Sequence, residues 1–238
     1  MEFNDVIKSV SGNQHKIIFD VMQLYNNGKP FDCDMTYSIG NFYGKFNIDG
    51  KEMEIPQPTY KFDVCPQTED TIKIEPFGAL PLGDNSIDSI MIDLPFVITV
   101  GPSLNEDKKG QNIIAKRFSG YYPAVDMYKS YAHWIREAYR VLKSNGLLCF
   151  KTQATISGGI NHDTPTFSKM CAMKCGFVNE DEFILTAKSR LISGKVKRQQ
   201  HARKFHSSFL VFRKLNSKKY SKLDYNFLID DIYNKLDN

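Results

Sequence analysis

The chain has 238 residues, 42% of them hydrophobic and 24% charged, with a net charge of +4; that is enough to bury one sizeable core and short for two. No segment approaches the ~20 apolar residues of a membrane-spanning helix, and the N-terminus lacks a basic run followed by an apolar stretch, so a cytoplasmic protein with no membrane partner is expected. Charge is uneven: Phe183 to Leu223 holds twelve Lys or Arg and no Asp or Glu, leaving 19 basic against 27 acidic groups elsewhere, as in a molecule with one face built to meet an anion.

The first helix is predicted between Gly12 and Asn27, where Ile17, Ile18, Val21, Leu24 and Tyr25 recur at helical spacing before Gly28 and Pro30 end the pattern. Pro30 to Ser38 suits a strand running into a turn, and Gly44 to Tyr60, rich in Gly, Pro and charge, reads as loop or irregular hairpin. Tyr60 to Cys65 and Ser89 to Asp93 read as strands, the second a short apolar run of the kind buried in a parallel sheet. Periodicity is then lost from Val97 to Tyr122, a length of irregular chain that is usually functional.

Tyr128, Tyr131, Ile135, Ala138, Tyr139 and Leu142 form a helical stripe, which Ser144-Asn145-Gly146 is expected to stop before a strand at Leu147 to Phe150. Thr164 and Pro165 read as the cap and first turn of a helix ending at Gly176, with strands at Phe183 to Ala187 and Ser208 to Phe212 beyond it. A single domain over residues 1–215 is expected, with a polar tail over 216–238 that carries one short helix at Tyr225 to Leu236. Strands alternating with helices imply an α/β fold with a parallel sheet covered on both faces, where ligands bind at the carboxyl ends of strands.

The five cysteines are odd in number and none has C-x-x-C spacing; Cys171 and Cys175, four apart on a helix, fit core packing better than a metal, so no metal site is expected.

Asp93-Leu94-Pro95-Phe96 follows an apolar strand directly and would project from the carboxyl edge of the sheet. An exocyclic base nitrogen is a poor nucleophile, because its lone pair is delocalised into the ring. Methylating it requires acceptors that orient the amino hydrogens. In such a site Asp93 and the Leu94 carbonyl would accept the two hydrogens, the carboxylate would stabilise the developing positive charge, Phe96 would stack on the base, and Pro95 would hold the turn. The alternative is a simple turn, with Asp93 starting it and Phe96 in the core.

The run from Leu80 to Asp88, followed by I-M-I-D-L-P-F, resembles the segment leading into the fourth strand of class I S-adenosylmethionine-dependent methyltransferases, and E-A-Y-R-V-L-K-S-N-G-L-L-C-F at Glu137 to Phe150 resembles their helix and fifth strand. The tetrad is similar to the D-P-P-F/Y signature of amino-group DNA methyltransferases, especially those acting on adenine N6. The resemblance spans roughly Phe31 to Phe212. It implies a Rossmann-like, three-layer αβα fold with a mostly parallel sheet of about seven strands, the last antiparallel, and S-adenosyl-L-methionine as cofactor.

By the same resemblance, D-C-D-M-T-Y-S-I-G at Asp32 to Gly40 stands for the first cofactor loop, so Asp34, Thr36, Tyr37, Ser38 and Gly40 would line the pocket, with Asp84 beside it. Asp63 takes the place of the acid that holds the ribose hydroxyls. One glycine stands where the family has two or three, about thirty residues separate the loop from Asp63, and Pro76 with Glu75 occupies the usual place of an acid near the cofactor's adenine, so the first crossover helix is in doubt.

Between the last two strands, residues 188–206 form a basic loop in which Lys195, Lys197, Arg198, Arg203 and Lys204 would meet phosphates. Residues 97–124 stand where a target-recognition insertion lies in the family and would form a lid, with Lys116 and Arg117 on nucleic acid and Tyr121 or Tyr122 stacking on a flipped base or capping the core. Lys151 and Gln153 follow the fifth strand and face the site, and His162 is within possible reach of it.

The expected activity is therefore methylation of adenine N6 in DNA. Cytosine N4, an RNA base, and a decayed methyltransferase that only binds nucleic acid stay open as alternatives. A homodimer or a partner subunit is expected to supply part of the recognition.

Overall fold

The computed structural model describes residues 6–48, 50–98, 121, 123–187 and 198–215. In chain order these form β1 (Val10–Ser11), α1 (Gln14–Tyr25), β2 (Cys33–Asp34), β3 (Gly44–Ile48), β4 (Lys51–Ile55), β5 (Tyr60–Asp63), β6 (Ile72–Lys73), β7 (Ile87–Asp93), α2 (Ala124–Val141), β8 (Leu142–Thr152), β9 (Thr155–Ser157), β10 (Ile160–His162), α3 (Thr164–Cys175), β11 (Phe177–Thr186) and β12 (His206–Lys214). The predicted tail helix and most of the 97–124 segment lie outside the described residues.

One eight-stranded sheet runs in the order β1-β11-β12-β8-β7-β2-β5-β6. All neighbours are parallel except β12, which runs antiparallel to both β8 and β11. The expectation of about seven strands with the last antiparallel thus holds, with β1 as an additional edge strand.

Apolar residues point to both faces of the central strands, because side chains alternate along a strand and both faces here are covered. Ile90, Ile92, Leu148, Phe150, Leu210 and Phe212 join Tyr131, Ile135, Ala138 and Ala172 in the layer under α2 and α3. Met91, Leu147, Cys149, Phe209 and Val211 pack on the other side against Ile17, Ile18 and Val21 of α1. This is the Rossmann-like, three-layer arrangement.

The doubt about a first crossover helix resolves into a different element. Parallel strands β2 and β5 require a crossover, and here it carries the antiparallel hairpin β3–β4, paired one to one from Gly44↔Ile55 to Ile48↔Lys51. Phe42, Tyr43 and Ile55 bury themselves against the α1 face, and Phe46 stacks on His15. Hairpin and α1 together make the layer that helices alone would otherwise supply.

Two predicted helix ends differ from those observed. Asn145 has φ 64 but lies inside β8, where residues 143–146 loop out between the pairs Ile87↔Leu142 and Ser89↔Leu147. α2 ends instead where Lys214 Nζ donates to the Tyr139 and Leu142 carbonyls at 2.6 and 2.7 Å. At α3 the cap is Asp163, which accepts from Thr166 N–H at 3.3 Å. Thr164 is the buried first residue, its hydroxyl donating to the Gln153 carbonyl at 2.8 Å.

The two segments that carry the family resemblance bond to each other. Buried Glu137 accepts from Leu80 N–H at 2.6 Å, and Arg140 donates to the Leu82 carbonyl at 2.9 Å, to the Leu80 carbonyl at 3.1 Å and to Asp84 at 2.7 Å. This clamp from α2 holds the loop that feeds β7.

Candidate active site

The chain moves outward from β2 to β5 to β6, then returns to the other side of β2 for β7 and β8. Strand order therefore reverses between β2 and β7, and in open α/β sheets ligands bind at the carboxyl ends of strands at such a reversal. Asp34 ends β2, Asp93 ends β7, and Lys151 stands in register with Asp93 on β8. Three ionisable side chains on three adjacent strands thus mark this edge.

The loop leaving β2 is held from below. Asp34 is 1% exposed; its carboxylate accepts from Thr36 N–H at 2.8 Å, Thr36 hydroxyl at 3.2 Å and Tyr43 hydroxyl at 2.7 Å. Burial pushes the Asp34 pKa up to about 7, against the pull of those three bonds and with a further push from Asp93. Thr36 Oγ1 also accepts from Asp93 N–H at 2.7 Å. One hydroxyl therefore ties the loop after β2 to the tetrad after β7.

Ser38 and Gly40 take left-handed backbone angles, φ 53 and φ 72. At Gly40 any side chain would collide with the Tyr37 ring, so the single glycine of this loop stands where only glycine fits. Ser38 N–H donates to Asp63 Oδ2 at 2.9 Å, and Cys65 N–H donates to Oδ1 at 2.7 Å. A carboxylate has about four lone-pair sites, so each Asp63 oxygen keeps capacity for a second donor. Asp34 and Tyr37 differ from expectation: both are buried, Tyr37 with its hydroxyl on Gln57, and they shape the loop from beneath instead of lining a pocket.

In the tetrad, the Leu94 side chain is buried in the layer under α2 and the Pro95 carbonyl accepts from Tyr131 hydroxyl at 3.1 Å, while Phe96 is half-buried. Asp93 keeps 25% of its side chain exposed and pairs with Lys151, Nζ to Oδ2 at 2.8 Å. The ammonium sits 5.0 Å from the Phe42 ring centre and 5.6 Å from that of Phe209. Lys151 was legible as a residue near the site; its ion pair with Asp93 was not, because strand register cannot be read from composition.

Among the other predicted residues, Asp84 is not brought to this edge. Asp84 precedes β7 at the amino end of the sheet, where its carboxylate binds Arg140, so the clamp takes the place of the expected cofactor contact. Tyr121 caps the core: its hydroxyl donates to Ser130 Oγ at 3.1 Å, its ring meets Tyr131 edge-on, and burial pushes its pKa up to about 12. His162 is buried, with Nδ1 2.9 Å from the Tyr128 hydroxyl. Glu75 is exposed just past β6.

The basic loop leaves β11, which runs parallel to β8, and so emerges at the same edge as Asp93. Gln153 Nε2 donates to the Lys204 carbonyl at 3.3 Å, fastening the loop's end beside β8. Arg198 is exposed, and Arg203 and Lys204 are half-buried. Lys116, Arg117, Tyr122, Lys195 and Lys197 lie outside the described residues. Among the described residues no cluster of His, Cys, Asp or Glu could hold a metal, and no helix is long and apolar enough to cross a membrane.

No family model and no curated protein sequence matches the chain. Among solved structures it is similar to a protein from Thermus thermophilus assigned as a DNA modification methylase and complexed with S-adenosyl-L-methionine, at 15% identity over 57% of this chain and 49% of that one, TM-score 0.37. A SAM-dependent methyltransferase from Thermotoga maritima is 13% identical over 84% and 91% of the two chains, TM-score 0.37. A methyltransferase from Haloferax volcanii, in complex with the activator Trm112, is 11% identical over 63% and 64%, TM-score 0.35. The matched region spans about half the length of the Thermus protein.

Proposed function

We propose that this chain transfers a methyl group from S-adenosylmethionine to the exocyclic amino group of a nucleic-acid base, adenine N6 in DNA. The observation that carries the reading is the direct bond from Asp93 N–H to Thr36 Oγ1 at 2.7 Å, which sets the β2 loop and the D-L-P-F tetrad side by side at the point where strand order reverses. The donor set fits the cofactor. The left-handed backbone at Ser38 and Gly40 brings main chain close to a ligand, and Asp63 retains acceptor capacity suited to a vicinal diol.

When bound there, the cofactor supplies an electrophilic methyl group. The protein's part is orientation. Asp93 accepts one amino hydrogen and the Leu94 carbonyl the other, turning the nitrogen lone pair out of conjugation, while Phe96 stacks on the base. Arg198, Arg203 and Lys204 at the same edge meet backbone phosphates, giving salt-dependent affinity without reading sequence.

Transfer of a radiolabelled methyl group from cofactor to DNA, followed by identification of the modified nucleoside, tests the reading. Asp93→Ala is expected to lose about a hundredfold to a thousandfold in turnover. Equal transfer by both proteins would remove Asp93 from the reaction, and a product other than N6-methyladenine would redirect the assignment to cytosine or RNA.

A further inference from the structure

We propose that Lys151 is a specificity-determining residue, and that Asp93 and Lys151 together read an amino group and the unprotonated ring nitrogen beside it. This inference rests on the base-methylation reading and refines it. Asp93 Oδ2 and Lys151 Nζ lie 2.8 Å apart on paired positions of β7 and β8, so an acceptor and a donor stand next to each other at the site. That is the order in which an asparagine amide presents its oxygen and nitrogen when it binds adenine through N6 and a ring nitrogen. Adenine and cytosine both offer the complement, an amine donor flanked by a ring-nitrogen acceptor. Guanine's O6 and N7 offer two acceptors and do not match, whereas its N2 and N3 do.

The lysine is built into place. Its side chain is 12% exposed, its ammonium is flanked by the faces of Phe42 and Phe209, and its strand is fixed between β7 and β12. An ammonium has three N–H donors, and the bond to Asp93 uses one. Asp93 is anchored in turn, its backbone N–H on Thr36 and one carboxylate oxygen on Lys151, which leaves Oδ1 for the substrate amine. A flexible carboxylate would accept any amine; the paired donor penalises one that lacks the neighbouring ring nitrogen. It also repels a protonated aliphatic amine, so the site favours neutral aromatic amines.

The test uses the full chain and a duplex that the wild type methylates, with the target adenine replaced by 1-deazaadenine or by 7-deazaadenine; for a cytosine target, 3-deazacytosine takes that part. One of the two adenine analogues should lose about tenfold to a hundredfold in kcat/KM with wild type, identifying the ring nitrogen that Lys151 meets. Removing a ring nitrogen also alters the amine's own reactivity, so the adenine-to-analogue ratio is compared between wild type and Lys151→Met, where that intrinsic part cancels. The ratio should be about tenfold or more smaller in Lys151→Met than in wild type. If that variant does not melt cooperatively, Lys151→Gln, which keeps a neutral donor, should give an intermediate ratio. A lysine that only packs between the two phenylalanines would lower all substrates alike. Analogue ratios that are the same in wild type and variants overturn the inference while leaving base methylation standing. Absence of transfer to any nucleic acid overturns both.

Discussion

Asp34→Asn should stabilise the protein at alkaline pH, although it removes a charged group that accepts three hydrogen bonds. Asp34 is 1% exposed and its pKa stands at about 7 against an ordinary 3.8, so above pH 7 folding must hold an unwelcome charge in the core. A carboxyl whose folded pKa is raised contributes its full stability below pH 3.8, where both states are protonated. That contribution is lost progressively as pH rises towards 7. Relative to a permanently neutral group, the cost is roughly 4 kcal/mol at pH 8 and less than half of that at pH 5. Asparagine resembles the protonated acid: its oxygen keeps both Thr36 bonds, and its amide donates to the Tyr43 oxygen once that hydroxyl turns. Urea melts of wild type and Asp34→Asn at pH 8 and pH 5 should show a gap in favour of the variant that narrows on acidification, equivalent at pH 8 to a rise in Tm of about 8–16 °C. A variant less stable than wild type at pH 8, or a gap that does not change with pH, would refute the reasoning.

Arg140→Met strands the buried Glu137 carboxylate and should cost about 3 kcal/mol, whereas adding Glu137→Gln should recover more than half; calorimetric melting of both variants checks this, and a loss under about 0.5 kcal/mol would mean that the clamp contributes little. Combining Arg203→Ala with Lys204→Ala should weaken DNA binding about equally for all sequences and lower the slope of log affinity against log salt by about 2. Fluorescence anisotropy across a salt series measures that slope, and an unchanged value would place the phosphate contacts elsewhere.

The parts of the fold that were legible in the sequence are those with an unbroken apolar pattern. The α2 stripe and the apolar run into Asp93 each carry enough buried residues for burial to dominate local preference. β1 and β6 have two residues each, too short to carry a period, and exist only because a neighbouring strand supplies their hydrogen bonds. The β3–β4 hairpin was half visible: Phe46 and Ile48 alternate with polar residues, but Gly44 and Gly50 with the charges around them also read as loop. Asp93, Thr36 and Ser38, each placed by its own strand's direction, lie together at the carboxyl edge of the sheet. Relations set by neighbouring strands are not legible in the sequence: the Lys151 pair depends on β7–β8 register, and the binding of Asp84 to Arg140 depends on where α2 ends.

The layer formed by α1 has a consequence for how the chain comes to be folded. Ile17, Ile18 and Val21 find their partners at Phe183, Phe209 and Val211, and Ile184 N–H bonds the Ser9 carbonyl. During synthesis this early helix therefore meets only the β3–β4 hairpin at first, and its apolar face is fully covered once β11 and β12 have been made. Such distant closure slows folding and exposes the nascent segment to chaperones or to self-association.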